Sequence, residues 1–206
     1  MLASSWSTSM MLLCVGLGGC SRYPAAPDLP KISAQAAGAE AIELYDANGD
    51  EKLAFEECMK SLTMLAAWRM IDKDEDQFLT AEEISARVRS WQESPSFIVD
   101  AMPTFYWNEE PLEGATVTLE LAEFLGDSYP SFSAVTNADG KAHFRLEDPR
   151  YPGIYPGIYK MSVSKQQDGQ EMIPAIYNTE SQLACEFSNE NWLSCYRRYR
   201  LRPVEE

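Results

Sequence analysis

Two short acidic stretches hold the residues best placed for chemistry: Asp46-Ala-Asn-Gly-Asp-Glu-Lys-Leu-Ala-Phe-Glu-Glu57 and Asp72-Lys-Asp-Glu-Asp-Gln-Phe-Leu-Thr-Ala-Glu-Glu83. Each puts oxygen-bearing side chains at its first, third and fifth positions and a glutamate at its twelfth. A hard cation such as Ca²⁺ takes roughly six to eight oxygens, and a loop of this spacing wraps them around one point. The first loop offers Asp46, Asn48, Asp50 and Glu57; the second offers Asp72, Asp74, Asp76 and Glu83. The seventh position supplies only a backbone carbonyl, so Lys52 and Phe78 are both acceptable there. The eighth is Leu53 in one loop and Leu79 in the other, suited to a short β-bridge between paired loops. By charge the second loop is the stronger site, with four carboxylates against three. The plainer alternative is a pair of solvated acidic turns.

Helices are needed to hold such loops, and the flanks supply the pattern. Ala41, Ile42, Leu44 and Tyr45 precede the first loop, and Cys58, Leu62 and Leu65 follow it at helical spacing. Leu65, Trp68 and Ile71 enter the second loop; Ile84, Val88 and Trp91 leave it. Only 14 residues (58–71) separate the loops, so a short or single central helix is expected. Loops and flanks together resemble the EF-hand family. That resemblance implies up to two bound Ca²⁺ ions, with Asp46, Asn48, Asp50, Lys52 and Glu57 at one and Asp72, Asp74, Asp76, Phe78 and Glu83 at the other. The family's sixth-position glycine is absent: Glu51 and Gln77 stand there. A positive φ at a residue with a Cβ costs on the order of 1 kcal/mol, so weakened sites are expected.

The 206 residues are 45% hydrophobic, enough for a packed core in one or two domains. The net charge of −15 argues against nucleic acid, which needs a basic footprint. The single histidine, His143, disfavours most hydrolase, zinc and haem chemistry. It lies in an alternating stretch whose neighbours Ala142 and Phe144 face the other way, and reads as a rim residue. No G-x-S-x-G, HExxH or glycine-rich phosphate loop is present, so no enzyme is expected.

Residues 10–19 form an apolar run of ten, too short to span a bilayer and long enough for a signal-peptide core. The run ends in Leu17-Gly18-Gly19-Cys20, which resembles the lipobox of bacterial lipoproteins, although residues 1–12 lack the usual Lys or Arg. The resemblance implies cleavage before Cys20 and acylation of that cysteine. Ser21 then implies the outer membrane where the cell has one, and an extracytoplasmic protein held to the membrane by its lipid. Ser21-Arg-Tyr-Pro-Ala-Ala-Pro-Asp-Leu-Pro30 reads as an extended tether. Cys185 and Cys195 sit symmetrically about residues 188–191, where a hairpin sets them face to face as a disulfide; two reduced core thiols are the alternative.

After Trp91 the texture turns to short alternating segments divided by turns. They include Thr104–Trp107, residues 115–121, 132–136, 142–146, 159–165 and 172–176, and two closing stretches that begin at Cys185 and Cys195. Asn137-Ala-Asp-Gly140 is a strong turn signal, and Tyr151-Pro-Gly-Ile154 with Tyr155-Pro-Gly-Ile158 repeats a tetrapeptide read as an irregular loop. Pro111-Leu-Glu-Gly-Ala-Thr-Val-Thr-Leu119, Thr136-Asn-Ala-Asp-Gly-Lys-Ala-His-Phe144 and Pro156-Gly-Ile-Tyr-Lys-Met-Ser-Val163 resemble the carboxypeptidase regulatory-like, or transthyretin-like, domain. This implies an antiparallel β-sandwich that binds, adheres or stabilises rather than catalyses.

The expected chain is therefore α+β with two domains. A signal peptide (1–19) and tether (20–38) precede an α-helical EF-hand pair (39–92), a linker (93–101) and the β-sandwich (102–206). Calcium stabilises the helical pair beside the sandwich in a lipid-anchored cell-envelope protein; alternatively the sandwich is an envelope glycan-binding or adhesion module and calcium is only structural. The membrane is the expected partner through the anchor, with envelope glycans or proteins as further partners. Arg198, Arg200 and Arg202 fall on one strand face near Arg197, where anionic glycans, lipid headgroups, the chain's own acids or plain solvent are the open readings.

Overall fold

The computed structural model describes residues 30–203. Over that range the chain is a mixed α+β fold, with the longer helices first and most strands after them. Cys20, the expected signal peptide and most of the expected tether lie outside the described residues. Among the described residues no helix is long and apolar enough to cross a membrane.

Helix α1 (Ala34–Tyr45) starts inside the stretch read as tether, because Ser33 caps it: its hydroxyl accepts from the Ala36 N–H at 3.3 Å. Strand β1 (Lys52–Ala54), the single turn α2 (Phe55–Cys58) and helix α3 (Leu62–Ile71) follow, so the short inter-loop segment holds one turn and one helix. Ser61 caps α3 by accepting from the Met64 N–H at 3.4 Å. Strand β2 (Phe78–Thr80) then leads into α4 (Ala81–Glu93). β1 and β2 pair antiparallel with Leu53 opposite Leu79, and both leucines are fully buried. Burying each contributes ~1.5–3 kcal/mol, which ties the two acidic loops together.

β3 (Thr104–Trp107), β4 (Glu110–Pro111), β5 (Thr116–Leu121), β6 (Phe132–Val135) and β7 (Gly157–Ser164) come next. The small hairpin β8 (Gln166–Gln167) with β9 (Gln170–Glu171), then β10 (Leu183–Phe187), the single-turn helix α5 (Trp192–Cys195) and β11 (Arg198–Leu201) complete the chain. One sheet runs β10-β7-β5-β6 and another β11-β3-β4. Against the expected all-antiparallel pairing, β11 lies parallel to β3; the two are far apart in the chain, so no hairpin turn imposes an antiparallel direction on them. Tyr199 falls opposite Phe105 in that register, and the rings stack at 5.2 Å and 13°. Residues 172–176 form no strand; Ala175–Tyr177 is a 3-10 turn that Pro174 introduces. The Tyr-Pro-Gly-Ile repeat is irregular up to Gly157, as expected, and Val99 bridges to Ile154 within it.

Alternation along β7 divides the interior. Tyr159, Met161 and Val163 enter a core with Phe105, Val117, Leu119, Phe144 and Phe187, between the sheets. Ile158 points the other way and joins Met64, Ala67, Ile71, Val88 and Trp91 beneath the helices. Phe124 and Leu125, in a 3-10 turn after β5, enter that second cluster.

A buried ion pair joins α4 to the four-stranded sheet. Arg87 and Glu186 are 2% and 0% exposed at their side chains, and Arg87 Nε donates to Glu186 Oε1 at 2.8 Å. Arg87 also donates to Glu190 and, at 3.0 Å, to Ser188 Oγ, while Trp91 Nε1 donates to Glu186 Oε1 at 3.0 Å. Arg87→Ala leaves a buried carboxylate without its counter-charge and is expected to cost about 3–5 kcal/mol in urea unfolding. Gly38, buried where α1 crosses α4, has no room for a Cβ: one would collide with the Ala81 carbonyl and the Ser85 hydroxyl. Alanine normally stabilises a helix relative to glycine, by ~1 kcal/mol. Gly38→Ala is instead expected to destabilise by about 1–3 kcal/mol in the same assay.

Candidate metal centre

The two acidic loops share a backbone path and differ in what satisfies their oxygens. Both turn at the sixth position with positive φ, 63° at Glu51 and 70° at Gln77, so the strain expected of residues carrying a Cβ is present. The second loop adds another strained position, Glu75 at φ 60°, where the first has Gly49 at 78°.

In the first loop the backbone turns inward on the carboxylates. Asp46 Oδ1 accepts from Gly49 N–H at 2.7 Å and Asn48 N–H at 3.2 Å, and Oδ2 from Glu51 N–H at 2.9 Å. Asn48 Oδ1 accepts from Asp50 N–H at 2.9 Å, and Asp50 Oδ1 from Lys52 N–H at 3.1 Å. Glu57 is 8% exposed; its Oε1 accepts from Ala47 N–H at 2.8 Å, and its Oε2 from Ala54 N–H at 2.9 Å. Burial pushes the Asp46 carboxyl up, but the N–H groups of Gly49, Glu51, Asp50 and Asn48 together outweigh it and hold the pKa below 3.8.

The second loop is less satisfied. Asp74 Oδ1 accepts from Asp76 N–H at 3.2 Å and Asp76 Oδ1 from Phe78 N–H at 2.8 Å. Oxygens of Asp72, Asp74 and Asp76 converge within 4.8 Å of one another, the one such grouping among the described residues. Asp72 is 9% exposed and its Oδ1 is buried with no hydrogen-bond partner. Glu83 opens α4 as half of a capping box: its Oε2 accepts from Thr80 N–H at 2.9 Å and Thr80 Oγ1 at 2.8 Å. Its Oε1 is likewise buried and unpartnered. Buried carboxylate oxygens are rarely left so, and a cation with oxygen preference is the partner this donor set fits. Lys52 and Phe78, at the seventh positions, begin β1 and β2, and the Lys52 ammonium lies 5.5 Å from the Phe78 ring.

The other sequence candidates fall elsewhere. Cys185 and Cys195 are free buried thiols in this structure, the second of the two states the sequence left open. Cys195 ends α5 instead of facing Cys185 from a strand, and each sulfur donates to carbonyls, Cys185 to Ser194 O at 3.8 Å and Cys195 to Ser188 O at 3.7 Å. Burial pushes Cys185 up to about 11 and Cys195 to about 12. Cys58, buried beside Glu57, is also pushed up to about 12 and packs as a small core residue. His143 is half-buried, with Nε2 at 3.0 Å from Asp100 Oδ1 and Nδ1 at 3.0 Å from an Arg145 nitrogen. Tyr151 and Tyr155 of the repeated tetrapeptide line a groove of about 510 Å³ with Phe132 and Arg145. The Arg87–Glu186 pair has no counterpart in the sequence reading; the one available signal is a glutamate between two core residues, Cys185 and Phe187. No protein-family model matches this chain, and comparison with the curated proteins gives no match.

Because the folded Asp46 carboxyl titrates below its ordinary value, it contributes stability above pH 3.8 that is lost as pH falls through its folded pKa. In chelator, Asp46→Asn is therefore expected to lower the melting temperature at neutral pH. The gap to the unaltered protein should close on acidification, as melts across acidic pH would record.

Proposed function

We propose that this is a calcium-binding, lipid-anchored cell-envelope protein, not an enzyme, in which an EF-hand-like helical pair is stabilised by Ca²⁺ beside a transthyretin-like β-sandwich. The observation that carries the reading is the buried, unpartnered Oδ1 of Asp72, inside the convergence of Asp72, Asp74 and Asp76. Asp72, Asp74, Asp76, the Phe78 carbonyl and Glu83 would hold the stronger ion. Asp46, Asn48, Asp50, the Lys52 carbonyl and Glu57 would hold a weaker one, because backbone donors already occupy those oxygens. The ion supplies positive charge to clustered carboxylates, so metal affinity and folding of the helical part are coupled. The Leu17-Gly-Gly-Cys20 sequence supports a lipid at Cys20 and an extracytoplasmic site, where calcium is plentiful enough to fill weak sites.

Calorimetric titration tests this. One stronger calcium site is expected, abolished by Glu83→Gln and retained by Glu57→Gln. Calcium at about a hundred times the dissociation constant should add ~2.7 kcal/mol to unfolding over chelator. Absence of both titration heat and a melting shift would refute the calcium reading.

A further inference from the structure

The three-stranded sheet carries a second surface that calcium binding does not use. Residues 140–144 run along β3 on the side away from β11: Phe105 N–H donates to Gly140 O at 2.7 Å, Ala142 N–H to Pro103 O at 3.0 Å and Phe144 N–H to Ala101 O at 3.1 Å. The pairings Lys141–Thr104 and Thr104–Arg198 therefore set Lys141 and Arg198 in one row across the sheet. Alternation brings Arg145 onto the same face from one side and Arg200 and Arg202 from the other, while Ala142, Phe144, Tyr199 and Leu201 face the core.

Residues 94–203 contain 15 Asp and Glu against nine Lys and Arg, yet five of the nine cations meet on this face. Their acidic neighbours are fewer. Glu109 pairs with Arg200 and Arg202, Asp139 lies 3.5 Å from Lys141, and Asp100 is taken by His143 and the Tyr196 hydroxyl. Arg198 has no ion-pair partner among the described residues. In α5, a few residues before β11 in the chain, Trp192 and Leu193 are 61% and 67% exposed, large apolar side chains left in water. The chain enters the described structure at this side too: Pro30 and Arg145 line the same groove.

We propose that this face docks on an anionic lipid bilayer, with the arginines and Lys141 against headgroups and Trp192 and Leu193 in the interface. Cationic side chains are drawn to anionic leaflets, and tryptophan is favoured at the headgroup level. Pro30 stands ten positions after Cys20, so a lipid at Cys20 would hold Pro30 within ~35 Å of the membrane. That last point rests on the anchored reading; the charge and the exposed aromatic do not.

The test uses the full chain bearing Cys20→Ser, so that no acyl chain contributes. It is sedimented with vesicles of phosphatidylcholine containing phosphatidylglycerol, and with phosphatidylcholine alone. Binding to the anionic vesicles is expected, with release at high salt. Arg198→Glu and Lys141→Glu should each weaken it at least about five-fold. Trp192→Ser should weaken it without removing the salt dependence. Equal binding to both vesicles, indifference to the charge reversals, or retention by dextran sulfate and not by vesicles would overturn the proposal. Lipidation is read separately, from the mass of the unaltered protein, so failure of one reading is distinguishable from failure of the other.

Discussion

Repulsion among carboxylates in a tight turn is the constraint from which the helical part follows. Charges 4.8 Å apart repel by about 1–3 kcal/mol per pair between the dielectric of water and that of a protein surface. The two loops meet this cost differently. The first surrounds Asp46 and Glu57 with backbone N–H groups and so partly neutralises itself. The second leaves Asp72 and Glu83 each with a buried oxygen that no hydrogen bond answers.

What happens at the loops is not isolated from the sheets. Leu53 and Leu79 lock the loops to each other through the β1–β2 bridge. From the second loop α4 runs inward, and one turn beyond Glu83 its Arg87 is fixed to Glu186 of β10. Ile158, Phe124 and Leu125 extend the apolar layer under the helices from the strand-rich part. The two parts therefore share a core cluster as well as a buried ion pair.

Much of this was legible in the residues. The twelve-residue spacing, the paired leucines and the positive φ at Glu51 and Gln77 all follow from local sequence, because a tight loop is determined by its own atoms. Six of the expected strand segments, those forming β3, β5, β6, β7, β10 and β11, could be read from the sequence. Long-range relations could not. Nothing local says that β11 returns parallel to β3, that Glu186 will meet Arg87 across 99 positions, or that Lys141 and Arg198 will share a row. The same holds for the segment between the two cysteines: spacing about a turn fits a hairpin, and the chain forms a helical turn there instead.

Glu83 holds one further consequence. Its two oxygens stand in different surroundings: Oε2 closes the first turn of α4 on Thr80, and Oε1 is buried without a hydrogen-bond partner. A shorter acid at this place keeps the charge but loses the reach, so the capping bonds to Thr80 would be lost and, on the calcium reading proposed above, the ion with them. Geometry, not charge alone, makes glutamate the residue that can close this turn.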